Sequence, residues 1–289
     1  MKKTELYIKS TNDVNNLHTI VWEPESEIKA IVQISHGMIE YIDRYDRFAK
    51  FLNSKGILVV GNDHLGHGLT ARDDEELGYF PTDKKSATVV EDLYKITQEI
   101  KSRYGDEVPY FVLGHSMGSF MIRRYIMTYG DKIDGCVIVG TGSQPNIVLK
   151  GGQSVLKFLK AFKGDKHRSK FVEKMAFGTY NKKFTSCDWI SRDKDIVNKY
   201  VNDKYCTFLF TLNGYETLFD ALEFIQNTKN VEKIPKELPL LFVSGDMDPV
   251  GNYGKGVKQI YENYKLCGIK DIDIKLYKDG RHEILNELE

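Results

Sequence analysis

Between residues 30 and 142, short apolar runs alternate with amphipathic stretches, and few folds tolerate that order. KAIVQISHG, GILVVGND, YFVLGHS and GCVIVGTG are near-continuous apolar runs, the pattern of strands buried on both faces. Between them lie DRYDRFAKFLNSK, VVEDLYKITQEIKSRYG and MGSFMIRRYIMTYG. In the first of these, Tyr45, Phe48, Phe51 and Leu52 recur at helical spacing, and Gly56 is placed to end the helix. Strands alternating with helices build βαβ units around a parallel sheet. Two earlier runs, ELYIKS and HTIVWEP, read as a short meander.

The alternation breaks at about Ser143. It resumes with LPLLFVSGD, a helix over about 254–266 and the strand IDIKLYKDG. The segment between is lysine-rich and aromatic, with helix-like pieces (SVLKFLKAF, FVEKMAF and 207–226) and no buried strand pattern. A length of 289 residues suits one large domain carrying an insert. The expected organisation is a first part of the core over 1–142, a helical insert over 143–235, and a second part of the core over 236–289.

Composition removes several functions. Lys+Arg and Asp+Glu both number 41, so the net charge is zero, against the strongly basic surface of a nucleic-acid binder. The four cysteines are widely spaced with no CxxC pair, which suggests neither a zinc site nor a disulfide framework. No apolar h-region follows the two N-terminal lysines, and no apolar run approaches bilayer length. A soluble, cytoplasmic protein with reduced thiols and no transmembrane segment is expected.

The chemistry centres on GHSMGS. A serine between glycines, where a strand turns into a helix, sits on a strained bend that presents its hydroxyl at the C-terminal edge of the sheet. Ser116 is therefore the candidate nucleophile, and it needs a base to take its proton. Of the seven histidines, His282 follows the last strand at the edge where Ser116 should lie; His18 and His167 are expected at the surface. VSGDMDPV supplies two candidate acids, and Asp248, further out on the loop, is favoured over the strand-ending Asp246. The backbone N–H groups of Met117 and Met38 are the candidate donors to an oxyanion.

These pieces together resemble the α/β-hydrolase superfamily, on its monoacylglycerol lipase and lysophospholipase branch, often grouped with the serine aminopeptidases. HGMIEYIDRYDRFAKFL is similar to the family's HG-x-x-E…RY block, and GNDHLGHGLT to its D-x-x-GHG-x-S block. GHSMGS, SGDMDPVG and DGRHEILNE are similar to its nucleophile, acid and histidine blocks. The resemblance implies a mostly parallel eight-stranded sheet flanked by helices, with a mainly helical cap inserted after the sixth strand. It implies a Ser116–Asp248–His282 triad, an oxyanion hole at Met38 and Met117, and no cofactor or metal. Asp63, His64 and His67 are then a structural loop near the site, and His115 a packed neighbour of the nucleophile. Ile39 and Tyr41 depart from residues commonly small or polar in that block. The chain ends at Glu289, before the final helix that the resemblance implies.

The helix expected around SVLKFLKAFK carries Val155, Leu156, Phe158, Leu159 and Phe162 among lysines. Its apolar side could pack on the core or rest transiently on a lipid surface. Phe177, Tyr180, Phe184, Trp189, Phe208, Phe210 and Phe219 could line an acyl tunnel or form the insert's own small core. The functional expectation is a serine hydrolase cleaving small-molecule or lipid esters. The alternatives are an aminopeptidase or amidase, which would need a carboxylate, Glu40 or an acidic residue of the insert, to bind an amine, and a non-catalytic binding protein.

Overall fold

A computed structural model of the chain describes residues 1–178, 180–185 and 187–288. The two N-terminal runs form β1 (Lys2–Lys9) and β2 (Asn16–Glu23), paired antiparallel. The alternating region then gives β3 (Ala30–Ser35), α1 (Asp46–Asn53), β4 (Ile57–Asn62), α2 (Ser86–Tyr104), β5 (Tyr110–His115), α3 (Met117–Tyr129) and β6 (Gly135–Val139). Helix α1 is shorter than its apolar spacing suggests, because Ile42–Tyr45 forms a 3-10 turn before it. After the insertion come β7 (Leu240–Gly245), a helix over Lys255–Leu266 and β8 (Ile272–Tyr277).

The eight strands form one sheet in the order β1-β2-β4-β3-β5-β6-β7-β8. From β4 across to β8 all neighbours are parallel, as expected; β2 meets β4 antiparallel. Side chains alternate between faces: Leu58 and Val60 join the cluster under α2 and α3, while Val59 joins the one under α1. The chain runs from β3 outward to β4, then returns to place β5 on the other side of β3. Ser35 at the end of β3 thus lies beside Gly114 in β5. The crevice of an open α/β sheet opens at such a reversal, beyond the carboxyl ends of the strands.

Between β6 and β7 the described residues carry α4 (Asn146–Lys163), α5 (Lys170–Phe177), α6 (Lys194–Val201), α7 (Leu212–Gln226) and α8 (Thr228–Val231), but no strand. Helix α7 is the foundation of this insertion: Leu212, Tyr215, Leu218 and Ile225 are buried, and it packs on α2, α3 and α4. Helix α4 turns Leu149, Gly152 and Leu156 inward, and leaves Phe158 64% and Phe162 73% exposed. Beyond β8 the described chain forms only a 3-10 turn at Ile284–Asn286.

The glycine pair in α4 is asymmetric. A Cβ on Gly152 would stand 2.7 Å from Phe219 Cε2, so this glycine lets α4 approach α7. A Cβ on Gly151 would meet nothing within 4 Å. Urea denaturation should therefore separate the two: Gly151→Ala should gain about 0.5–1 kcal/mol from helix propensity. Gly152→Ala should lose about 1–3 kcal/mol by overpacking.

Candidate active site

The bend after β5 holds Ser116 at φ +53 and ψ −120, a conformation sparsely populated by residues with a Cβ. Its amide donates to Val139 O at 3.0 Å, fixing the bend against the end of β6. Helix α3 starts at the next residue, so the Met117 N–H lies in the first turn, where no intrahelical acceptor exists. Only a glycine permits the crossing behind it, since a Cβ on Gly118 would stand 2.0 Å from Ser35 O.

The loop after β3 reaches the same place: a Cβ on Gly37 would lie 3.0 Å from Ser116 Cβ. From the loop after β7, Asp248 is fully buried, and its Oδ2 accepts from His282 Nδ1 at 2.9 Å. Val250 N donates to the other carboxylate oxygen at 2.9 Å. With Nδ1–H committed to the carboxylate, the basic nitrogen of His282 is Nε2. Asp246 is occupied otherwise, accepting from Asp279 N at 2.8 Å in the turn after β8. Ser116, His282, Met38 and Met117 line one cavity of about 310 Å³. Its other walls are mainly apolar and include Leu149, Phe177, Leu218, Phe219, Leu222 and Val250.

Beside the triad candidates lies a buried ionic cluster. Arg44 Nη1 donates to Glu40 Oε2 at 2.8 Å, and its two terminal nitrogens donate to the two oxygens of Glu283 at 2.8 Å each. Glu40 Oε1 accepts from the Gly37 amide, from Tyr45 OH at 3.1 Å and from His115 Nδ1 at 3.0 Å. The other nitrogen of His115 faces the carbonyl of His282 at 3.2 Å. Both ring nitrogens therefore meet acceptors, an arrangement satisfied only by the imidazolium. Burial opposes that charge, but the hydrogen bond and charge of Glu40 outweigh it and raise the His115 pKa. Burial likewise opposes ionisation of Glu40, yet His115 and Arg44 hold its carboxyl well below the usual range. Two carboxylates and two cations balance.

Several sequence expectations change here. His18 is not a surface residue: it is 3% exposed, with Nδ1 2.8 Å from Asp63 Oδ2, because β2 is covered on both faces. Glu40, the carboxylate considered for binding an amine, is already engaged: Oε1 accepts three hydrogen bonds and Oε2 accepts from Arg44. Phe177, Tyr180, Trp189 and Phe219 line the cavity, whereas Phe208 and Phe210 pack against His67 and Phe184 lies under Arg281. Among the described residues no cluster of His, Cys, Asp or Glu could hold a metal, and no helix is long and apolar enough to cross a membrane.

Sequence reasoning assigned no role to Arg44 or Glu283, and did not place Trp189 against His282. Trp189 comes from the insertion, its ring 5.1 Å from that of His282 and its carbonyl accepting the His282 amide at 3.3 Å. Arg44 and Glu283 stand within the quoted site blocks, and their charge beside apolar residues was the available clue.

The cluster carries a pH signature. A raised His115 pKa contributes stability fully present below the unfolded value of about 6.5 and lost as pH rises through the folded value. The depressed Glu40 pKa contributes stability present above its unfolded value and lost on acidification. Urea midpoints measured from pH 6 to pH 9 should fall more steeply for the wild-type protein than for His115→Gln. Parallel profiles would place a neutral imidazole in the cluster.

The chain matches the family described as serine aminopeptidase, S33, over residues 26–289. A monoglyceride lipase homolog of monkeypox virus is 39% identical over 285 residues, covering 96% of this chain and 92% of the viral protein. Monoglyceride lipase of Mus musculus is 28% identical over 274 residues, 92% of this chain and 80% of its own length. Among solved structures, a highly thermostable carboxyl esterase from Bacillus coagulans in complex with glycerol has a TM-score of 0.90 and 31% identity. That alignment covers 99% of this chain and 93% of the esterase. Strand order, crevice and relatives agree, and the chain belongs to the serine aminopeptidase S33 family of α/β-hydrolases, on its monoacylglycerol lipase-like branch.

Proposed function

We propose that this protein hydrolyses carboxylic esters of the monoacylglycerol or lysophospholipid type through an acyl-enzyme on Ser116. The observation that carries the reading is the 2.9 Å contact of buried Asp248 with His282, which lines one cavity with a positive-φ serine. In this mechanism Ser116 Oγ attacks the ester carbonyl while His282 Nε2 takes its proton, and Asp248 stabilises the imidazolium. The carbonyl oxygen becomes an oxyanion held by the Met38 and Met117 amides. Collapse expels the alcohol, which takes the proton back from His282, and water then cleaves the acyl-serine by the same steps. No cofactor is needed.

Two features support a lipid acyl group. The cavity walls are largely apolar, and each buried methylene contributes roughly 0.8 kcal/mol. The relatives named monoglyceride lipase and carboxyl esterase point the same way. For the aminopeptidase alternative, Glu40 is already engaged by Arg44 and three other donors, and Glu173 of the insertion is the acidic residue from that segment lining the cavity. A fluorophosphonate probe should label the wild-type protein and not Ser116→Ala. Asp248→Asn should lower p-nitrophenyl ester turnover by about 10³–10⁴-fold. Asp246→Asn should retain most of it. Cleavage of aminoacyl-anilides but not of acyl esters would overturn the reading.

The insertion, 143–235, serves in this proposal as a cap that meets the lipid surface. Ile147 is 81%, Phe158 64%, Phe162 73% and Phe171 65% exposed, with Lys150, Lys157 and Lys163 exposed among them. Apolar residues bordered by lysines suit the headgroup boundary of a bilayer. Phe158→Ser/Phe162→Ser should slow hydrolysis of monoacylglycerol in anionic vesicles by about fivefold or more. Turnover of a soluble short-chain ester should not change. Equal loss on both substrates would remove the surface role.

A further inference from the structure

Ile39 is a β-branched residue at φ +56. A side chain branched at Cβ rarely tolerates that region, and such strain persists only when surrounding contacts over-determine it. One such contact is with His67, whose Nε2 accepts the Ile39 amide at 3.3 Å. His67 belongs to the loop after β4 and touches neither the triad candidates nor the cavity as a lining residue. On its other side, Nδ1 donates to Leu65 O at 3.0 Å, so the tautomer is set and Nε2 is left as an acceptor. The ring is fully buried, its centroid 5.1 Å from His36, 5.6 Å from Phe80, 5.5 Å from Phe208 and 5.4 Å from Phe210. Burial pushes its pKa down to about 3, which preserves the acceptor throughout the neutral range.

The preceding peptide plane is gripped from the opposite direction. His36 Nε2 accepts from His64 N at 2.9 Å, so its Nδ1 carries the proton and donates to Gly37 O at 2.8 Å. In a trans peptide the C=O and the next N–H point opposite ways. Anchoring Gly37 O therefore aims the Met38 N–H away from His36. Met38 is the joint between two held planes, and the strain next to it at Ile39 works to turn the second one.

We infer that His67 is a positioning residue of the oxyanion loop: by accepting the Ile39 N–H it fixes the plane that follows Met38, and together with the His36 anchor on Gly37 O it sets the direction of the Met38 amide. The inference rests on the proposed role of Met38 and adds a mechanism by which a residue outside the cavity sets transition-state affinity. His67 also packs on Phe208 and Phe210 of the insertion, so the loop it steadies is coupled to the seating of that segment.

The test compares wild type with His67→Gln, His67→Phe and Ile39→Gly/His67→Phe, using kcat, KM, thermal melting and inhibition by an alkyl trifluoromethyl ketone. That ketone forms a tetrahedral adduct whose oxyanion reports the hole directly. His67→Phe should lower kcat by about 10–100-fold, because a small misplacement of one donor carries that cost. KM should stay within about threefold, as expected when only transition-state binding is lost. Affinity for the ketone should fall by the same factor as kcat. Glutamine can offer a carbonyl to the Ile39 amide and should recover most of the loss. Glycine at position 39 relieves the strain, so the double variant should exceed His67→Phe at least severalfold in kcat. If His67→Phe does not fold, His67→Gln still tests the claim, since an intact protein with kcat and ketone affinity reduced as far as by loss of a whole donor would overturn it. A double variant no better than the single, or a fall in kcat without weaker ketone binding, also overturns it. Absence of fluorophosphonate labelling at Ser116 in the wild type would instead reject the underlying hydrolase reading.

Discussion

The Arg44 guanidinium, held between Glu40 and Glu283, is the interaction on which the site depends. It joins the loop after β3 to the loop after β8, and through Glu40 it reaches His115, the residue before the candidate nucleophile. Three loops that leave three different strands are thereby held in one frame. Charges this deeply buried would be costly alone, because the desolvation of each must be offset by partners. Here each carboxylate has the guanidinium, and Glu40 adds a backbone amide, a phenol and an imidazolium. Such a cluster adds little net stability over an apolar replacement, but it has one satisfied geometry. That geometry puts Gly37, His115 and His282 side by side.

The insertion is woven into the same frame. The amides of His282 and Glu283 donate to the carbonyls of Trp189 and Ile190 at 3.3 and 2.7 Å, and Ser191 Oγ donates to Asn286 O at 3.0 Å. Arg192 pairs with Glu287 at 2.8 Å. Residues 189–192 thus support the histidine loop directly. Opening of the cavity by movement of this stretch would disturb His282. The exposed flank formed by α4 and α5 carries no such constraint, and Gly151 sits there without a neighbour.

Two strained residues meet where the chemistry is proposed. Ser116 and Ile39 both have positive φ, and they face one cavity. Each is held from behind: Ser116 by Val139 O and the glycine crossing, Ile39 by His67. In the proposed mechanism, strain of this kind pre-orients donors and nucleophile before substrate arrives, at the expense of stability supplied by the sheet and its two apolar clusters.

The parallel sheet, the helical interruption after β6 and the serine bend were legible in the amino-acid order, because hydrophobic period and turn chemistry belong to contiguous residues. Loop position favoured Asp248 over the strand-ending Asp246 as the proposed acid, and in the fold it is Asp248 that His282 contacts. Helix α1 was read too long, because a 3-10 turn and an α-helical turn share nearly the same apolar spacing. Burial of His18, the engagement of Glu40 by Arg44 and His115, the cation at His115 and the grip of His67 on Ile39 were not legible. Each depends on groups far apart in the chain, Arg44 and Glu283 being separated by 239 positions, and on a dielectric that only packing creates. Local sequence therefore determined which residues could react, while the tertiary fold decided which of them are charged, held and aimed, because desolvation and hydrogen-bond partnership exist only once distant segments meet.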